Sequence, residues 1–246
     1  MGPIEVYRLA RKKNDLLFNV FVARPLAAPV VSVLLPTRVT PNQITFLNLF
    51  LFAVAAGALA WVAGARGALL GVLLLEFSYV FDCVDGMLAR TKKLASPVGH
   101  LLDFMTDELK AFLLVGGISV HLWRSGDDER WLVLGVCGLV VVASALALTT
   151  FVRRPEYSGR ATTTEAFYEV AGGAPTPRSV VRRAAHAVLV FLRFLNHYPS
   201  HIWIWGIFNR LDLFLVMYLA LNFLYLGQTG LAVLLDLGKP LPRRAP

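Results

Sequence analysis

Charged residues and cysteines are both scarce in this sequence. Charged residues make up 16% of the 246 residues, whereas a soluble domain usually carries about 25%. The two cysteines, Cys83 and Cys137, both lie in apolar segments, so neither a disulfide framework nor a zinc site is expected. Hydrophobic residues make up 57% of the chain. This composition predicts an all-α, polytopic integral membrane protein built as one membrane domain.

The net charge is +8, which by itself is also compatible with nucleic-acid binding. However, the basic residues are concentrated in short segments beside apolar runs. That distribution is typical of membrane topology and of contact with anionic lipids. We therefore predict membrane lipids as partners and exclude nucleic acid.

The first 38 residues are basic and amphipathic. Charged residues such as Arg8, Arg11 and Arg24 alternate with apolar ones such as Leu9 and Val20. Because charge interrupts the apolar run and no small-residue cleavage site follows, a cleaved signal peptide is not expected. Residues 1–38 are predicted to form a juxtamembrane helix on the cytoplasmic leaflet. A disordered basic tail is the alternative.

The remaining residues, 39–246, are predicted to form a membrane domain of six transmembrane helices. Each span needs roughly 20 apolar residues. The segments of suitable length and composition are 43–64, 67–90, 99–123, 130–152, 184–208 and 211–236. The start of the first is marked by Thr40 as a cap and Pro41 at the first helical position. The boundary between the last two, near residues 209–212, is the least sharply marked.

Lysine and arginine are distributed unevenly between the two sides of this arrangement. Eighteen of the 24 fall in the amino-terminal segment, the 90–98 turn, the 153–183 loop and the tail, and four fall on the opposite side. The positive-inside rule therefore predicts both termini in the cytoplasm and the second turn, around 91–98, at the cytoplasmic face. A bacterial inner membrane is the expected location.

Four aspartates flank that second turn: Asp82, Asp85, Asp103 and Asp107. Ionisable residues at membrane depth are costly, so their default interpretation is functional. Helical spacing places Asp82 and Asp85 on one stripe, and Asp103 and Asp107, four apart, on a stripe of the next helix. Consecutive antiparallel helices can turn both stripes toward a shared cavity. Carboxylates this close repel unless a cation neutralises them, and an all-oxygen cluster suits Mg²⁺ or Mn²⁺.

A purely structural alternative is a helix pair whose acids are neutralised by Arg90, Lys92 and Lys93. Two separate acid stripes are not needed for that purpose, which makes the alternative the weaker one. An ion transporter or channel could also carry intramembrane acids. The sequence shows no internal repeat, and a channel does not require Gly86, Ala89 and Arg90 at fixed offsets.

The pattern D-x2-D-G-x2-A-R-x8-G-x3-D-x3-D matches residues 82–107 at every fixed position. This motif resembles that of the CDP-alcohol phosphotransferase family, integral membrane enzymes of phospholipid synthesis. The resemblance implies that Asp82, Asp85, Asp103 and Asp107 bind metal, with two ions expected. It also implies that Asp107 is the general base.

The same resemblance suggests residues for the nucleotide and its diphosphate: Asn42, Asp82, Gly86, Ala89, Arg90 and Gly99. Gly86 and Ala89 leave room for a diphosphate to approach the helix, although small residues also serve helix packing in membranes. Arg90 offers a planar fork for phosphate oxygens, or extends to the interface. Gly99 either permits close approach or only begins a helix. Asn42 either contacts cytosine or ribose, or belongs only to the helix start.

The acceptor site is predicted from basic residues: Lys110, Arg153, Arg154 and Arg193. In several family members, basic residues in corresponding places hold a phosphorylated acceptor. For Arg153 and Arg154 the positive-inside rule is an equal explanation. Lys110 either steers the acceptor or pairs with Asp107 or Glu108.

The reaction implied by the resemblance transfers a phosphatidyl group from a CDP-alcohol, most often CDP-diacylglycerol, to the hydroxyl of a small alcohol, with release of CMP. A homodimer is the assembly implied. Aromatic prenyltransferases also bind a diphosphate through magnesium, but they use two aspartate-rich segments far apart, and this chain has one compact cluster.

Overall fold

The computed structural model describes residues 1–11, 15–154, 191–192 and 194–236. For Arg153 it describes the backbone alone. Every regular element in these residues is helical. The longer helices are α1 (Pro3–Leu9), α2 (Arg24–Leu34), α3 (Pro41–Trp61), α4 (Gly64–Thr91), α5 (Pro97–Gly126), α6 (Arg130–Arg153), α7 (Ile202–Ile207) and α8 (Leu211–Asp236). A π-helical turn, Asn19–Ala23, precedes α2, and a 3₁₀ turn, Tyr198–Ser200, precedes α7.

Within the described residues, α3, α4, α6 and α8 are long and apolar enough to cross a membrane by length and composition. This agrees with a polytopic membrane protein. The 30-residue helix α5 is also long, but its acid stripe and Lys110 make it less apolar. Five of the six predicted spans correspond to α3, α4, α5, α6 and α8, with ends that differ by at most three residues.

The predicted fifth span, 184–208, is wrong as one continuous helix. Its described part leaves the helical conformation at His197, continues through the 3₁₀ turn and resumes as α7. Pro199 supplies the physical reason. Proline lacks an N–H for the helical ladder and disfavours helical geometry in the residue before it. The first part of this span, up to residue 190, lies outside the described residues.

The helix α3 packs against both α4 and α5. Its start is a complete capping box. The Thr40 hydroxyl accepts from the backbone N–H of Gln43, and the Gln43 side chain accepts from the N–H of Thr40. The larger hydrophobic core includes one face of α3, with Phe52 and Leu59 packed among residues of α4, α5 and α8 such as Leu75, Ile118 and Phe214.

The short turn between α3 and α4 depends on glycine. A Cβ atom at Gly67 would lie 1.6 Å from the backbone oxygen of Val62, and one at Gly71 would lie 2.2 Å from Cγ of Leu59. Such distances are impossible for real side chains, so these glycines let α4 approach α3 closely. The α4 helix ends at Thr91, and Lys93, two residues later, has a positive φ of 58°.

Contacts between α4 and α5 are far fewer than those each helix makes with α3. The two consecutive helices that were expected to turn their acid stripes toward a shared cavity therefore make little direct contact over most of their length. Both still bring their acid stripes to one end of the bundle, where α3 and α5 begin and α4 ends. Because α3 occupies the space between them, its own polar residues reach the acids.

The described part of the amino-terminal segment contains two helices, α1 and α2, with the π-helical turn directly before α2, where the sequence predicted one amphipathic helix. A second, smaller core joins Val6 of α1 and Val31 of α2 to Ile44, Val84 and Met87 of α3 and α4. Near it, the buried side chains of Arg24 and Asp15 form an ion pair with Nε and Oδ2 2.5 Å apart. Arg24 also donates a hydrogen bond to the carbonyl of Ala10. The segment is therefore anchored beside the acid end of α4.

A chain of hydrogen bonds links the amino-terminal segment to His197, where the predicted fifth span is interrupted. The Tyr79 hydroxyl donates to Oδ1 of Asn19 at 2.7 Å, and Asn19 Nδ2 donates to Asp15 Oδ1 at 3.0 Å. Because the Tyr79 hydroxyl donates its one proton to Asn19, its oxygen must accept the hydrogen bond from Nε2 of His197, at 2.8 Å. The other ring nitrogen, Nδ1, then accepts from Ser200 Oγ at 2.7 Å. This order assigns His197 the neutral tautomer protonated at Nε2.

Replacement of Tyr79 by phenylalanine is expected to lower the free energy of unfolding by about 1–3 kcal/mol, because it leaves partners of Tyr79 without their hydrogen bonds. Thermal unfolding in detergent measures the loss. Tyr225→Phe is the matched control, since Tyr225 is half-exposed and, among the described residues, its hydroxyl accepts one long bond, 3.3 Å, from Thr149. Equal stability of the two variants would contradict a structural role for the chain of hydrogen bonds.

Candidate metal and phosphate site

Three of the four predicted aspartates converge at the end of the bundle. Asp82 of α4 and Asp103 and Asp107 of α5 each offer a carboxylate oxygen, and these oxygens lie within 4.8 Å of one another. Asp82 and Asp103 are partly buried, whereas the side chain of Asp107 is 57% exposed. The cluster thus has two sheltered carboxylates and one at an open edge, where a substrate has access.

Asp85, the fourth aspartate, is not part of this group. It lies one turn further along α4, is 6% exposed, and its Oδ2 accepts a hydrogen bond from the Thr45 hydroxyl at 2.7 Å. Its carboxyl group still interacts electrostatically with Asp82 and Asp103. The role of Asp85 as a metal ligand remains a prediction.

Lys110 lies inside the acid cluster. Its Nζ atom is 2.5 Å from Oδ1 of Asp82 and 3.0 Å from Oδ1 of Asp107, and its side chain is only 5% exposed. The sequence left open whether Lys110 steers the acceptor or pairs with an acid. In the structure it pairs with one acid from each of the two helices, so the ammonium group neutralises part of the cluster charge.

The helix α3 contributes polar residues that the sequence interpretation missed. Asn48, 1% exposed, donates to Oδ1 of Asp82 at 2.8 Å, and its own Oδ1 accepts from Ser78 at 2.6 Å. These partners fix the orientation of the amide and thereby hold Asp82. A signal was present: Asn42, Thr45 and Asn48 are spaced three apart, which places polar groups on one face of an otherwise apolar helix.

The donor set fits a hard divalent cation. All three side chains are carboxylates, and opposite ligands of an octahedral Mg²⁺ ion are about 4 Å apart, twice the 2.0–2.1 Å bond length. Separations within 4.8 Å need only a small inward movement to reach that geometry. Asp82, Asp103 and Asp107 are therefore the residues that would hold such an ion. Asn48 would orient the first of them.

Replacement of Asn48 by alanine is expected to weaken Mn²⁺ binding by about 10- to 100-fold, the usual effect of losing a partner that orients a metal ligand. The affinity can be measured by the electron paramagnetic resonance of free Mn²⁺ during a titration. Asn222→Ala is the control, because in the described part of the chain Asn222 of α8 donates to the carbonyl of Tyr218, one turn earlier in the same helix, and to no aspartate. A loss of similar size in both variants would contradict the role of Asn48.

Four of the residues predicted for the nucleotide and diphosphate form two pairs of neighbours, Gly99 with Asn42 and Gly86 with Arg90. A Cβ atom at Gly99 would lie 3.3 Å from Oδ1 of Asn42, so the starts of α5 and α3 meet there. A Cβ at Gly86 would lie 3.3 Å from a terminal nitrogen of Arg90. The Nε of Arg90 donates to the carbonyl of Ala10 at 3.1 Å, which orients the guanidinium group.

Gly86, Ala89, Arg90 and Gly99 are all partly buried, whereas Asn42 is exposed. Gly99 also has a local role, since its N–H donates to the Ser96 hydroxyl that caps α5. The absence of side chains at Gly86 and Gly99 leaves space beside Arg90 and Asn42. The binding of a nucleotide by these residues remains a prediction.

The four residues predicted for the acceptor are not brought together by the described structure. Lys110 lies in the acid cluster, and Arg154 is exposed just after α6 ends. Arg153 is the last residue of α6, and its side chain lies outside the described part of the chain, as does Arg193 entirely. The acceptor site therefore remains a prediction for all four.

Comparisons with known proteins agree with the motif. The family model described as CDP-alcohol phosphatidyltransferase matches residues 38–218. The chain is 30% identical over 126 residues to the bifunctional IPC transferase and DIPP synthase of Aquifex aeolicus. This match covers 50% of this chain and 28% of that protein. It is 27% identical over 143 residues to the phosphatidylinositol phosphate synthase of Corynebacterium glutamicum. That match covers 56% of this chain and 60% of the relative.

Among solved structures, phosphatidylinositol phosphate synthase of Mycobacterium tuberculosis with CDP-DAG bound matches with a TM-score of 0.49 and 17% identity. The match covers 82% of this chain and 92% of that one. The curated relatives are matched over less than two thirds of their own length. The family model, in contrast, spans most of this sequence and includes the whole acid motif, and on that basis the chain belongs to the CDP-alcohol phosphatidyltransferase family.

Proposed function

We propose that this protein transfers a phosphatidyl group from CDP-diacylglycerol to the hydroxyl group of a small alcohol and releases CMP. The observation that carries the proposal is the convergence of Asp82, Asp103 and Asp107 from two helices, in a chain of this family. A prenyltransferase or an ion transporter is less well supported, because neither accounts for the complete motif or the family match.

Two divalent ions, either Mg²⁺ or Mn²⁺, are proposed as cofactors. They would neutralise the charge of the diphosphate and stabilise charge on the entering and leaving oxygens. Asp82, Asp85, Asp103 and Asp107 are proposed as their ligands. The guanidinium of Arg90 binds phosphate oxygens beside Gly86 and Ala89. Asn42 and Gly99, which are adjacent, form the edge that takes the nucleotide.

Asp107 is proposed as the general base. It is the exposed member of the cluster, so an acceptor hydroxyl can reach it, and its carboxylate takes the proton of that hydroxyl. The acceptor oxygen forms a bond to the phosphorus that carries the lipid. The bond from that phosphorus to the oxygen of CMP breaks, and the leaving phosphate retains the electron pair.

The acceptor is proposed to carry a phosphate of its own. The proposed acceptor residues are basic. Arg153 and Arg154 are at the end of α6, on the proposed cytoplasmic side from which the acceptor would come, and Arg193 and Lys110 complete the proposed set. For Lys110 this role requires release from Asp82 and Asp107. The name of the Corynebacterium glutamicum relative, phosphatidylinositol phosphate synthase, makes inositol phosphate the first candidate.

In the membrane, we propose six spans within residues 39–246, with residues 1–38 lying along the cytoplasmic surface. The site end of the bundle, where α4 ends and α5 begins, carries Arg90, Lys92 and Lys93. The positive-inside rule assigns that end to the cytoplasm of a bacterial inner membrane, together with both termini. Water-soluble acceptors and metal ions then reach the site from the cytoplasm. A homodimer is the proposed assembly.

The test is CMP release by the purified protein with CDP-diacylglycerol, Mg²⁺ and one acceptor at a time: inositol 1-phosphate, glycerol 3-phosphate, inositol or serine. Release that requires both metal and one phosphorylated acceptor is the expected result. Release with only an unphosphorylated acceptor would overturn the phosphate site. A folded protein that releases no CMP with any acceptor would overturn the proposed donor, and absence of cytidine-nucleotide binding would overturn the function.

A further inference from the structure

The ammonium group of Lys110 contacts the carboxylates that the proposed function assigns to metal. It lies 2.5 Å from Asp82 and 3.0 Å from Asp107, which belong to different helices. It reaches them from α5, one turn beyond Asp107, and its side chain is 95% shielded from solvent. A lysine in this position is therefore a built feature of the cluster, unlike an exposed lysine that meets an acid by chance.

Charge explains why such a group is needed. Three carboxylates whose oxygens lie within 4.8 Å repel each other strongly in a sheltered site, where the effective dielectric is low. A positive charge between them offsets this repulsion and holds α4 against α5 at a point where the two helices otherwise make few contacts. The metal-free cluster is then already arranged close to the geometry that a cation requires.

The same contacts set up a competition. A divalent ion held by Asp82 and Asp107 attracts the carboxylates that Lys110 holds, and it repels the ammonium group. The Lys110 side chain cannot keep both contacts unchanged when such an ion arrives. An ammonium left buried without an acid or phosphate partner is costly.

We infer that Lys110 is a resident counter-ion of the metal site, which arranges the empty cluster and competes with the divalent ion for Asp82 and Asp107. The inference rests on the proposed metal-binding function. Lys110 acts here as a positioning residue for these two carboxylates. Metal binding would free its ammonium from the acids, and a substrate phosphate is then its natural partner.

The experiment is a Mn²⁺ titration of detergent-purified protein without substrate, followed by electron paramagnetic resonance, with thermal unfolding in excess chelator as the second readout. Lys110→Met removes the charge and keeps the length of the side chain. Lys110→Gln serves if the methionine variant does not fold. Lys93→Met is the control, because Lys93 is an exposed residue just past the end of α4 and its replacement removes the same charge from the same end of the bundle.

The expected result is Mn²⁺ binding about tenfold tighter or more in Lys110→Met, since a repelling charge is gone. The metal-free variant should unfold at a lower temperature than the wild type, and Mn²⁺ should stabilise it more. Affinity that is unchanged or lower in Lys110→Met, or equally raised in Lys93→Met, would overturn the inference alone. A wild-type protein that does not bind Mn²⁺ would overturn the proposed metal site and the inference with it.

Discussion

Replacement of Asp107 by asparagine is expected to reduce CMP release by about 10²- to 10⁴-fold, the range over which general acid–base catalysis contributes. Asparagine has nearly the shape of aspartate, but its amide cannot take a proton from the acceptor hydroxyl, and it brings no negative charge to the cation. The initial rate of CMP formation at saturating donor and acceptor measures the effect.

Asp128→Asn is the matched control for this experiment. Asp128 lies in the turn between α5 and α6 at the opposite end of the bundle, where its carboxylate pairs with Arg130. Hydrogen bonds from Arg130 lower the pKa of Asp128 below its usual value, so the control removes a carboxylate that is charged at neutral pH. Loss of activity in both variants would indicate general damage, and full activity in Asp107→Asn would exclude Asp107 as the base.

Replacement of Arg24 by methionine is expected to lower the free energy of unfolding by about 3–5 kcal/mol, the cost of leaving one member of a buried ion pair without its partner. The Arg24 and Asp15 side chains are only 5% and 8% exposed. The guanidinium also donates to the carbonyl of Ala10 at 2.9 Å. Thermal or denaturant unfolding in detergent measures the loss.

The double variant Arg24→Met with Asp15→Asn separates the ion pair from the rest of the contact. Asparagine at position 15 removes the buried charge, so the double variant should be more stable than Arg24→Met alone, despite carrying two replacements. The hydrogen bond from Asn19 Nδ2 to the oxygen at position 15 can persist. A double variant that loses the sum of both single effects would show that the two side chains act independently.

The helix boundaries were largely predictable because they depend on local chemistry. Thr40 caps α3 and Pro41 begins it, as the sequence indicated. The apolar segments that became α3, α4, α6 and α8 were visible because a membrane span requires an uninterrupted apolar run. The motif from Asp82 to Asp107 identified the family, since fixed spacings on two helices already specify which side chains share a stripe.

The errors arose where two distant segments decide the structure together. The break near His197 was missed because the effect of a single proline was outweighed by the apolar pattern around it. The sparse contact between α4 and α5 could not be anticipated, since it depends on how α3 packs against both. For the same reason the partners of Asn48 and Thr45 were missed: their spacing marks a polar face on an apolar helix, but only packing shows that each faces an aspartate of α4.

The sequence by itself determined the membrane class, most of the helix boundaries and the family, together with the four aspartates of its motif, because these depend on local composition and on residue spacing along single helices. Only the tertiary structure decided that Asp82, Asp103 and Asp107 form one group, that Thr45 holds Asp85 apart from it, and that Lys110 shares the site. These outcomes depend on distances between helices. Such distances result from the packing of side chains across the whole bundle, which no local pattern encodes.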